Sequence, residues 1–172
     1  MSQTPILWKY KINIIMKRSI IAFMLLLTVS AMASAQTGLE INQIFNGKYA
    51  GDPKVTETMI SGSHQFLRHH DLNVFSTFKG PAVKYALIIE PLVLADGAKS
   101  IGRNIRYKEG KLHYAFFMLR PLTENGEKIN RFLYYLNNLP QKGNNMMVLY
   151  LEGTISQNEA NSLIQSMAKN VK

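Results

Sequence analysis

One apolar tract near the N-terminus, Ile20 to Val29, divides this chain of 172 residues and fixes how much of it is left to fold. Lys17 and Arg18 precede the tract, and Ala33, Ser34 and Ala35 follow it in a small-x-small order just ahead of Gln36. A positive n-region, an apolar h-region and a small-residue cleavage pattern are the parts of a secretory signal peptide. Residues 1–35 therefore read as a signal peptide cleaved between Ala35 and Gln36, with Met16 a more natural start than Met1. The alternative is an uncleaved membrane anchor, because no charge falls between Arg18 and Glu40. A lipid span needs roughly 20 apolar residues. This tract ends instead in Ser30, Ala31, Ser34 and Ala35, which suit a peptidase better than a hydrocarbon core. Further on, Glu90, Asp96, Arg120 and Glu152 interrupt the apolar stretches, so no transmembrane segment is expected in the mature chain.

Cleavage leaves residues 36–172, enough for one domain with a single core and too few for two. Four of the 20 basic residues lie in the leader, so 16 remain against 11 acidic ones, a net charge of +5. The chain has no cysteine. An exported protein without cysteine is neither a disulfide scaffold nor a lipoprotein, and its stability must come from packing. The expected destination is the periplasm or the exterior.

The mature sequence shows no repeat and no linker. Leu39, Ile41, Ile44 and Phe45 recur at helical spacing and stop at Asn46 and Gly47, predicting a short opening helix. Val55 to Ile60 and Leu72 to Phe78 read as strands, with a polar segment, Gly62 to Asp71, between them. Ala82 to Ala98 has the composition of a strand in KYALII but the length of a helix, which Pro91 would kink or restart. Two strand-like runs flank a tight turn at Glu109 and Gly110. Ala115 to Leu119 is apolar at every position, as expected of a strand inside a sheet with helices on one side. Met146 to Leu151 is a further strand, and Arg131 to Leu136 is strand or helix. Ser156 and Glu159 form a capping box before a C-terminal helix with Ala160, Leu163, Ile164 and Met167 on its apolar face. Together these elements predict an α+β fold, with a mainly antiparallel sheet and flanking helices.

The runs ADGAKSIGRNIRYKEGKLHYAFFML at Ala95 to Leu119, NRFLYYLNN at Asn130 to Asn138 and MMVLYLEGTISQNEANSLI at Met146 to Ile164 resemble a family of short exported Bacteroidetes proteins of unknown function. INQIFNGKY at Ile41 to Tyr49 is similar to that family's start. The resemblance rests on hydrophobic and turn patterns. It implies an exported single domain and brings no activity, cofactor or site residue with it.

Three groups of residues carry possible chemistry. His64, His69, His70 and Asp71 hold imidazoles and a carboxylate, the side chains of a zinc site or, with Ser61 and Ser63, of a small hydrolase. A polar loop before the strand at Leu72 accounts for the same residues. Lys99, Arg103, Arg106, Lys108 and Lys111, interleaved with Tyr107 and Tyr114, form the most basic window. Such a face attracts anionic glycan, lipid headgroup or phosphate; it is also what a solvated hairpin rim looks like when lysines guard a sheet edge. Aromatic residues of RFLYYL or LHYAFF would, if exposed, make a patch for a protein partner. No motif for a cofactor, a phosphate loop or nucleic acid is present. The leading expectation is an exported, non-enzymatic module that binds an envelope protein or contributes to the envelope. An anionic-ligand domain using Arg103, Arg106, Tyr107, Lys108 and Lys111, or a hydrolase using His64, His69 and Asp71, are the alternatives.

Overall fold

A computed structural model of the protein describes residues 38–141 and 143–169. The leader, with its cleavage site at Ala35 and Gln36, lies outside these residues.

Six strands form one antiparallel sheet: β1 (Thr56–Ser61), β2 (Leu72–Gly80), β3 (Gly102–Lys108), β4 (Lys111–Glu124), β5 (Glu127–Asn137) and β6 (Met146–Gly153). Their order across the sheet is β1-β2-β6-β5-β4-β3. Three helices accompany them, α1 (Gln65–His69), α2 (Ala82–Gly97) and α3 (Gln157–Ala168), together with a 3-10 turn at Glu40–Ile44. This is the α+β fold that the strand and helix patterns predict.

Two tight turns set the register of the β3-β4-β5 meander. At the first, Glu109 (φ 52°) and Gly110 (φ 73°) both take the left-handed conformation that a two-residue hairpin requires. The second joins β4 to β5 at Asn125 (φ 50°) and Gly126 (φ 83°), an Asn-Gly turn that the sequence reading passes over.

Both faces of the sheet are covered, and this corrects the expectation of helices on one side. Phe75, Phe116, Phe132, Tyr134, Leu149 and Leu151 point to one face, where Leu67 of α1 and Ala160, Leu163 and Ile164 of α3 close over them. On the opposite face, α2 and the Glu40–Ile44 turn lie together over Phe78, Phe117, Leu133 and Tyr135. Every residue of β6 is buried, which fits an apolar run without alternation. Gly97 lets α2 settle closely: a Cβ there would stand 2.3 Å from the Phe117 ring.

Helix α2 runs unbroken through Pro91, which neither ends nor restarts it. Proline leaves the carbonyl four residues earlier without its donor. That residue is Leu87, on the exposed side of the helix, where water can take the bond. Gly62 to Asp71 contains the short helix α1 rather than only a loop, because the His64 Nδ1 accepts the Phe66 N–H at 3.1 Å and Leu67 is fully buried beneath it. At the C-terminal end, Ser156 and Glu159 form the expected capping box of α3.

Candidate functional site

The aromatic residues expected to form an exposed patch are instead core. Phe116, Phe117, Phe132, Tyr134 and Tyr135 are each at most 5% exposed, since both sheet faces are roofed by helices. Among the described residues Ile101, Tyr107 and Leu122 are exposed elsewhere, while three large exposed apolar side chains share α2: Val83 at 65%, Leu87 at 86% and Ile88 at 49%. At 3.6 residues per turn these fall on the side away from the buried Tyr85, Ala86, Ile89 and Val93, and Pro91 and Ala95 continue the exposed strip. A helix that is apolar all round normally lies in a core. Here one side is open to solvent.

Within that strip the one charge is Lys84, and it is drawn aside. Its Nζ sits 2.7 Å from Asp52, whose carboxylate also accepts the Tyr85 hydroxyl at 2.7 Å. The bonds from Lys84 and Tyr85 hold the Asp52 carboxyl well below the usual carboxylate range, and Asp52 in turn pushes both Lys84 and Tyr85 up. Tyr49 packs edge-on against Tyr85 with centroids 5.1 Å apart, and the Lys48 ammonium lies 5.4 Å from the Tyr49 ring centre. These groups wall an open hollow of about 540 Å³ that meets the apolar strip at Ile88. At the other end of the helix, a second hollow of about 290 Å³ brings Lys99, Arg120 and Arg131 beside Ala95. Cations border the strip at both ends, accompanied by Asp52 at one and by Glu40 and Asp96 at the other. No spacing in the sequence links Asp52 to Lys84; the fold alone joins them. The signal for the strip itself is the near-absence of charge between Ala82 and Ala95, with Lys84 and Glu90 alone.

Apart from Lys99, which precedes β3, the basic window lies where a hairpin rim would be, on the edge strand β3 and its turn. Its members do not gather on one face. Arg103 pairs in register with Phe117, on the α2 side, whereas Arg106 pairs with Tyr114, on the α3 side. Lys108 and Lys111 face each other beside the turn, and Tyr107 is 58% exposed at a bulge. In the histidine segment, His64 is occupied as the N-cap of α1, His69 and His70 stack edge-on at 4.9 Å, and Asp71 has a φ of 52°. No group of three or more metal-capable His, Asp or Glu side chains occurs among the described residues. No helix among them is long and apolar enough to cross a membrane.

The deepest polar pair is Tyr150 and Glu152 on β6, whose side chains hydrogen-bond to each other on the α2 side of the sheet. Burial raises both above their ordinary values. Nothing brings this pair to a surface, since each is at most 3% exposed.

No curated protein and no solved structure matches the chain. A family model described as a family of unknown function, DUF6108, matches residues 28–164. The match spans the sheet, both of the longer helices' packing faces and the turns described above, and the chain belongs to this family of unknown function.

Proposed function

We propose that this protein is an exported binding module that docks another envelope protein through the outward side of α2. The observation that carries the reading is the solvent exposure of Val83, Leu87 and Ile88 on a helix whose nearest charge, Lys84, is tied to Asp52. Isolated exposed leucines are ordinary, but a continuous strip along a helix of 16 residues marks an interaction surface. The cations at its two ends, Lys48 and the group of Lys99, Arg120 and Arg131, favour a partner whose matching apolar strip is bordered by acids. Export is supported by the tract from Met16 to Gln36, whose three parts match a secretory leader.

Site-specific photo-crosslinking in the native host tests the reading. A photoreactive residue at Leu87 should give one dominant protein adduct, lost when Val83→Glu is added and absent when the probe is moved to Ser162 on α3. Equal adducts from both positions, or a Leu87 probe that reacts only with lipid, would refute a protein-docking face. Intact mass of the recovered protein reports export: a chain beginning at Gln36 agrees, and an unprocessed one in the cytosol does not.

A further inference from the structure

On the opposite side of the molecule, a cleft of about 390 Å³ runs between β3 and α3. Its volume falls among small-molecule sites, about 300–1,000 Å³. One wall is the α3-facing side of the edge strand, with Asn104 and Arg106 two residues apart. The other is an amide ladder on α3, in which Gln157, Asn161 and Gln165 follow one another at four-residue steps and so share a helix side. Phe116 and Met118 of β4 make an apolar floor. The Arg106 guanidinium lies 5.4 Å from the centre of the Tyr114 ring, which is itself held edge-on by Tyr134.

Three properties define what such a cleft would take. Among the described residues the side chains of Asn104, Gln157, Asn161 and Gln165 have no hydrogen-bond partner, so four amides offer both donors and acceptors to a ligand. Hydroxyl groups, which also donate and accept, match them better than a purely anionic group does. Arg106 has no carboxylate within ion-pairing distance among the described residues, and its fork suits a planar carboxylate in two parallel bonds. A floor of Phe116 and Met118 accepts the C–H side of a sugar ring. Arg103 also lines the cleft, although it stands in register with Phe117 toward the other face of the sheet.

We propose that the cleft binds an acidic saccharide, with Arg106 holding the sugar carboxylate, Tyr114 keeping the guanidinium in place, and the Gln157, Asn161 and Gln165 amides bonding the ring hydroxyls. Neither the α2 strip nor its partner enters this proposal. It also distinguishes two members of the basic window: Arg106 contacts the ligand beside Tyr114, whereas Arg103 borders the cleft from a position in register with Phe117.

Protein produced from the full-length chain, titrated by calorimetry with oligogalacturonate, oligoglucuronate and sialyllactose, tests the assignment. At least one of these acids should bind saturably, while its methyl ester and the neutral analogue bind roughly tenfold more weakly, the loss expected for one charge-assisted contact. Arg106→Gln should lower affinity by a similar roughly tenfold factor, and Asn161→Ala should lower it for acid and ester alike. Arg106 is exposed and Asn161 half-buried, with no hydrogen bond from its side chain among the described residues, so circular dichroism should be unchanged, and Lys111→Gln beside the turn should leave binding nearly intact. No saturable binding of any of the acids up to about 10 mM, binding indifferent to Arg106→Gln and Asn161→Ala, or displacement by equimolar inorganic phosphate would each overturn the proposal.

Discussion

The ammonium of Lys84 lies 2.7 Å from the carboxylate of Asp52, a residue 32 positions earlier, and this contact turns the one charge of the outward α2 strip to its edge. Asp52 is an ordinary surface aspartate in sequence. In the fold it receives the Lys84 and Tyr85 side chains and the Lys54 N–H, which hold its carboxyl below the ordinary 3.8. A depressed carboxylate stabilises the folded state above its unfolded value, and that contribution disappears as pH falls through the folded value. Carboxyl titration by NMR should therefore find Asp52 ionised well below pH 3.8, and Lys84→Gln should move its midpoint back up. A midpoint unaffected by Lys84→Gln would mean that the pair does not persist in solution.

Asp96 makes a second long-range contact of the same chemical type, this time to backbone. Its two carboxylate oxygens accept the N–H groups of Glu40 and Ile41, each at 2.8 Å, so a side chain on α2 caps the 3-10 turn at Glu40–Ile44. The turn carries no side-chain cap of its own. Asp96→Ala leaves two donors unpaired in a half-buried setting, with an expected cost of about 1–3 kcal/mol. Chemical denaturation measures it, and protection of the Ile41 amide in hydrogen exchange should fall at the same time. A variant of unchanged stability would show that water replaces the cap.

Local signals made much of the fold legible. The capping box at Ser156 and Glu159, the turn at Glu109 and Gly110, and the unbroken apolar run of Met146 to Leu151 each specify their element through contacts a few residues apart. The elements that resist a sequence reading are those set by distant partners. Ala82 to Ala98 has apolar residues on every side, so no periodicity distinguishes strand from helix, and the feature that hides its helical nature is also its exposed strip. RFLYYL and LHYAFF look half-exposed because a sequence does not say how many faces of a sheet are roofed. The β3–α3 cleft joins Arg106 to residues more than 50 positions away, and composition alone groups Arg106 with Arg103, from which the pleat separates it.

Two glycines differ in what stands against them, and their alanine variants should differ accordingly. At Gly97 a Cβ would meet the Phe117 ring at 2.3 Å, a side chain held in the core at 1% exposure. Overpacking of this kind costs about 1–3 kcal/mol. At Gly153 the obstacle is backbone: the Asp71 carbonyl oxygen at 2.2 Å and the Leu72 Cα at 2.6 Å, where β2 and β6 meet beside an irregular register. Backbone cannot turn aside as a ring can. Gly153→Ala should therefore be the more damaging of the two, while Gly51→Ala, with nothing within 4 Å, serves as the control. Thermal melts of the three variants check the ranking, and a Gly153→Ala protein as stable as the control would refute the close approach.

Glu152 supplies a prediction about pH with the opposite sign to that of Asp52. It is 3% exposed on the α2 side of β6, and burial raises its carboxyl above the ordinary 4.5, opposed by the Tyr150 hydroxyl and by the charge of Arg131, and assisted by Glu124. A raised carboxyl ionises more readily in the unfolded chain than in the folded one. Its ionisation therefore opposes folding: stability is greatest below 4.5 as far as this group is concerned, and declines as pH rises from there through the folded value. Glu152→Gln keeps an oxygen to accept the Tyr150 hydroxyl but cannot ionise. The stability difference between Glu152→Gln and the parent should grow in favour of the variant as pH rises above 4.5, read from urea denaturation at each pH. Because Glu90 and Asp96 are also raised by burial and are common to both proteins, their contributions cancel in that difference. A difference independent of pH would mean that Glu152 ionises in the sheet as easily as in water, with Arg131 compensating its burial in full.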